Sequence, residues 1–163
     1  MLRRMAPLLR RPWLWQFSRR RVAMGVGIGV FFGFVIPVLQ ILGAAVFAIL
    51  LRANLPVAAA ATFVSNPLTF APIVVLAYKT GAALLGEPER PGAAEILTDP
   101  GDGTGSAIAR WIDRAKAIGK PLVLGLAVFA VVGGFAAWAL VHAFWTLGVW
   151  LKRRRRSTRA REM

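Results

Sequence analysis

Three runs without a charged side chain, residues 22–51, 53–78 and 121–151, take up most of a chain of 163 residues. A helix needs ~20 mainly apolar residues to cross the ~30 Å hydrocarbon core of a bilayer, and each run exceeds that. A water-soluble domain of this size would have to hide three helices that are apolar all round, with too little polar sequence to cover them. The sequence therefore predicts an all-α integral membrane protein. The composition agrees: 57% of residues are hydrophobic and the mean hydropathy is +0.59.

The net charge of +14 is distributed as a membrane protein would have it. Seven arginines and no acid lie in residues 1–21, and seven basic residues against Glu162 lie in 152–163. Both clusters abut apolar runs, which is the positive-inside pattern and also suits anionic lipid headgroups. No nucleic-acid partner is expected. There is no cysteine, so disulfides, thiolate metal sites and thiol nucleophiles are excluded.

The runs are not uniform. Residues 1–21 mix Trp13, Trp15 and Phe17 with arginines, as an interfacial segment does. In the core 22–86, Gly25, Gly29 and Gly33 recur every four residues and predict a smooth stripe for helix packing. Pro37 and the pair Asn66-Pro67 interrupt that core, because proline lacks a backbone donor and bars helix at the residue before it. Backbone broken inside a bilayer is tolerated only when buried in protein or lining a wet cavity. The candidate polar site is accordingly Ser65, Asn66, Pro67 and Thr69, with Gln40 and Asn54. His142, in the last run, is a candidate proton or ligand site, since an ionisable group inside a membrane is functional by default.

Residues 87–106, EPERPGAAEILTDPGDGTGS, form an acidic solvated loop. Its Asp99 and Asp102 lack the spacing and terminal glutamate of a calcium loop, and no metal or cofactor is expected. Residues 107–120 place Ile108, Trp111, Ile112, Ala115 and Ile118 on one face behind Ser106 as N-cap, which predicts an amphipathic interfacial helix. Residues 121–151 form a transmembrane helix and 152–163 a basic cytoplasmic tail.

The charge asymmetry puts both termini in the cytoplasm and the acidic loop outside. If the last run crosses once, the first two must supply one net crossing. The expected architecture is two spanning helices, one re-entrant helical hairpin and the amphipathic helix. Asn66-Pro67 is the stronger break, so the hairpin is expected there, the alternative being a kinked full span.

The residues GVFFGFVIPVLQ (29–40), LLRANLP (50–56), SNPLTFAP (65–72) and YKTGAALLG (78–86) resemble a bacterial family known as domain of unknown function 2062 (DUF2062), over about residues 10–90. The resemblance implies a bacterial inner-membrane protein without an assigned activity. Some relatives are joined to glycosyltransferase-like domains, which points to envelope glycolipid work. In the family a Pro-Gly-rich turn often follows the first proline; here Val38-Leu39 stand there. The leading functional expectation is an oligomeric protein that binds or passes a small solute at the Asn66 break. The second is a non-catalytic scaffold or accessory subunit for envelope enzymes. Catalysis is not expected, because no nucleophile–base or carboxylate pair is legible within a span.

Overall fold

The computed structural model describes residues 14–35, 39–99 and 106–159. All regular structure in these residues is helical. Seven α-helices follow in order: α1 (Arg19–Val35), α2 (Gln40–Leu50), α3 (Leu55–Ala61), α4 (Pro67–Leu85), α5 (Ala93–Thr98), α6 (Ala107–Ile118) and α7 (Lys120–Arg159). A 3-10 turn, Thr62–Val64, separates α3 from the start of α4. Pro37 lies outside the described residues, as do Asp102 and most of the basic aromatic segment 1–21.

The first apolar run does not form one helix. It doubles back between Val35 and Gln40, and α2 returns antiparallel to α1. Phe32 of α1 sits over Gly43, where an added Cβ would meet its ring, and stacks on Phe47 with ring centroids 4.9 Å apart. Fully buried Ala44 and Ala48 let the backbones approach. The return is complete by Asn54, whose N–H donates to the Arg21 carbonyl at 3.1 Å.

From there α3 rises along α1 in the same direction. Its partner surface is the glycine stripe. Gly25 faces Asn54 and Ala58, Gly29 faces Ala58 and Ala61, and Gly33 faces Thr62 and Val64. A Cβ on Gly29 would collide with the Ala58 carbonyl, so only glycine permits this approach.

The chain does not reverse at Asn66-Pro67; the antiparallel helix pair is α1–α2, in the first run. At Asn66 the chain continues onward. It leaves α3 and packs α4 against the first half of α7, with Ala77 beside Gly125 and Gly81 beside Pro121. The physical reason is local. Asn66 starts a new helix with a full capping box, and Pro67 takes the first helical position, where its missing N–H costs nothing. That arrangement restarts a helix; it does not reverse one.

Helix α7 is the spine. Its lower half meets α1 antiparallel: Phe34 packs edge-on against Phe129, Gly27 meets Gly134, and Arg19 donates to Thr146 Oγ1 at 3.1 Å. Its upper half carries α4, α5 and α6. Two buried clusters result, one around Phe32, Ala44, Ala48 and Ala58, the other around Val74, Tyr78, Leu97, Leu122 and Leu126. Helix α6 begins at Ser106, whose hydroxyl accepts from Ala109 N at 3.1 Å, and ends at Gly119, which takes φ 79. Part of its apolar face turns onto its own chain: Ile118 is buried and Trp111 packs on Phe70, while Ile112 stays exposed.

Candidate functional site

Five of the six candidate residues, Gln40, Ser65, Asn66, Pro67 and Thr69, come together at the junction of α2, the 3-10 turn and α4. Ser65 Oγ donates to Gln40 Oε1 at 3.0 Å, a buried pair that ties the start of α2 to the break. Asn66 Oδ1 accepts from the N–H groups of Leu68 (2.9 Å) and Thr69 (3.1 Å), and its Nδ2 donates to the Phe63 carbonyl at 3.3 Å. Thr69 Oγ1 accepts from Asn66 N at 3.0 Å and donates to the Val64 carbonyl at 2.7 Å. The backbone groups freed by the break thus find partners inside the chain, as an apolar setting demands.

Asn54 does not belong to that group. It is fully buried at the opposite end of α3, where its Oδ1 caps Val57 N (3.0 Å) and its Nδ2 donates to the Gln16 carbonyl (3.2 Å). His142 is remote from the Ser65 junction as well. Its ring stacks on Trp138 at 5.7 Å, and its Nδ1 is buried without a hydrogen-bond partner. Its carbonyl accepts from Thr146 Oγ1 at 2.8 Å, the hydroxyl that also receives Arg19. Among the described residues no three His, Asp or Glu side chains gather as a metal site requires.

A feature that sequence reasoning missed lies at the lower end. An apolar groove of about 410 Å³ runs between α1, α2 and α7, over Ile28, Phe31, Phe47, Val131 and Phe135. It opens outwards, since Phe47, Val131 and Phe135 are exposed. Directly adjoining it is a polar recess of about 450 Å³ lined by Ser18, Arg20, Arg21 and Arg52. Met24 and Leu51 line both. Arg52 takes φ 54, a left-handed conformation normally left to glycine. It closes α2 by the double bond pattern of a Schellman turn, with Ala53 N donating to the Ala48 carbonyl (2.8 Å) and Arg52 N to that of Ile49 (3.3 Å). Arg19–Arg21 occupy the first turn of α1 with no acid there, the reverse of what the helix dipole favours. In sequence these arginines read only as positive-inside charges. Their gathering depends on the hairpin, which brings position 52 back beside position 21.

Two helical segments, Leu68–Leu85 in α4 and Lys120–Trp150 in α7, are long and apolar enough to cross a membrane. No curated protein and no solved structure matches the chain. The family described as "Uncharacterized protein conserved in bacteria (DUF2062)" matches over residues 2–156, nearly the whole length and well beyond the segment that carries the sequence resemblance. The chain belongs to the DUF2062 family of bacterial proteins.

Proposed function

We propose that the protein is a multi-pass inner-membrane protein with both termini in the cytoplasm, and that it acts as a non-catalytic binding or accessory component. In this reading α3–α4 and α7 cross the bilayer, and α1–α2 form a re-entrant hairpin entering from the cytoplasmic face. One observation carries it: the bond from Asn54 N to the Arg21 carbonyl, which returns Arg52 to the level from which α1 departs. From Arg21 to Val35 the helix rises only ~21 Å at ~1.5 Å per residue, short of the ~30 Å core. Had the run crossed, Arg52 would stand on the acidic side, against the positive-inside bias. From Pro121 to Thr146, by contrast, α7 rises ~38 Å, enough to cross with tilt.

The internal bonding of Asn66 and Thr69 supports a packing role for the break. A solute path is the second reading, and the buried Gln40–Ser65 pair between two apolar clusters is the observation in its favour. Such a path would need a homo-oligomer to enclose it. Cysteine placed at Ser65 in this cysteine-free chain separates the two. The accessory reading expects no modification by a small permeant thiol reagent in intact membranes. Labelling there, with a solute flux lost in Asn66→Ala while the protein remains inserted, would replace it with the solute path.

A further inference from the structure

We propose that the groove and the recess beneath it together form a binding site for one anionic phospholipid. Its phosphate would lie among Arg20, Arg21 and Arg52, with one acyl chain in the groove over Phe31, Phe47 and Val131. The proposal rests on the membrane reading above and adds a ligand class to it.

The two cavities have opposite chemistry and share a border. The groove is almost wholly apolar, while the recess is polar and carries three guanidinium groups; Met24 and Leu51 bound both. That succession, cation cluster and then hydrocarbon slot, is the outline of an amphiphile with a negative head. All described carboxylates lie between positions 87 and 113, at the other end of the molecule, so none of them neutralises the cluster. Arg21, which lines the recess, also donates from Nη1 to Gln16 Oε1.

Charge complementarity also selects among occupants. A helix from a second copy would bring its own arginine cluster to the same end, and like charges repel. A neutral lipid would fill the slot but bring no net negative charge to the recess lined by Arg20, Arg21 and Arg52. Hydrocarbon gains little by leaving lipid for an apolar groove, because the two are equally apolar. The binding preference must therefore come from the head, and the groove sets where the chain can lie. Arg52 is the residue whose position is hardest to explain otherwise. Glycine would satisfy its left-handed turn with less strain, and a strained residue at such a point is a reason to look for function.

The test uses the full chain in a non-ionic detergent, with bound lipid counted by native mass spectrometry. The probes are dioleoylphosphatidylglycerol and dioleoylphosphatidylcholine, which share their chains and differ in head charge. Phosphatidylglycerol should be retained in preference. Arg52→Gly should lower its retention about fivefold, the effect of one cation near an anionic head, while elution volume and helical circular dichroism stay unchanged. Val131→Trp, which fills the groove and leaves every arginine in place, should lower it too. Excess inorganic phosphate should not displace the lipid. Equal retention of the two lipids overturns the proposal, as does an unchanged retention in both variants. Displacement by inorganic phosphate with no effect of Val131→Trp would mean a phosphate-ion site, which also overturns it. Carbonate extraction of membranes separates the levels. A chain that stays in the pellet but shows no lipid preference refutes the site alone, and a chain released to the supernatant refutes the membrane reading with it.

Discussion

At the scale of single residues, much of this chain turns on where side chains are absent. The stripe Gly25, Gly29, Gly33 was legible from its spacing, but the helix it receives was not. That helix is α3, which the hairpin carries back to the start of α1. Gly29→Leu should destabilise the protein by about 3 kcal/mol, because the new side chain meets the Ala58 carbonyl and cannot be accommodated by a rotamer change. Gly148→Leu, which meets nothing within 4 Å, should not lower the unfolding midpoint. Thermal unfolding of the two purified variants checks both. Arg52 presents the opposite case, a large side chain where glycine belongs. Relief of the left-handed strain is worth ~1–2 kcal/mol, partly offset by ~0.4–1 kcal/mol for the added freedom of glycine in the unfolded chain. Arg52→Gly should thus raise stability by up to about 1.5 kcal/mol. A lower midpoint would show that the arginine contributes to folding.

At the scale of elements, the sequence reading ranks Asn66-Pro67 as the stronger break, whereas the chain runs on there and α2 returns along α1. Proline chemistry alone does not say whether a chain turns back or carries on. The surroundings decide. After the first break come Gly43, Ala44 and Ala48, a small-residue face that fits beneath Phe32, so α2 folds onto α1. After the second come Asn66 and Thr69, whose reciprocal bonds start α4 on a fresh course. Neither this small face nor its partner Phe32 figures in the sequence reading; the pairing is known only from the folded chain. The start of α6 was easier, because Ser106 and the apolar spacing behind it are local signals. If Asn66 serves chiefly as a cap, Asn66→Ala should cost about 1 kcal/mol of stability, and Asn66→Ser, which keeps an acceptor, should recover most of it. Equal losses in denaturation of the two variants would point to the Nδ2 contact with Phe63 as the main contribution.

For the whole molecule, α7 sets the frame. The α1–α2–α3 group lies on its lower half and α4, α5 and α6 on its upper half, so charge is segregated along its length. Arg20, Arg21 and Arg52 gather at the lower end, while the described acids lie at the upper end, mixed with basic residues such as Lys79, which pairs with Glu89 at 3.2 Å, Arg90 and Arg114. The overall helical, apolar character could be read from three uncharged runs. The lower-end recess could not, since its lining joins positions 18–21 with 51–52 across a reversal that no local signal located. The central claim is that this reversal brings Arg52 back to the side from which α1 starts, within a membrane. Single cysteines at Ser18, Arg52 and Glu89, labelled in intact cells with a membrane-impermeant thiol reagent, test it most directly. The account predicts that Glu89→Cys labels from outside, while Ser18→Cys and Arg52→Cys label only after the membrane is opened. Labelling of Arg52→Cys in intact cells, with Ser18→Cys still protected, would mean that residues 22–51 cross the bilayer, and would contradict it.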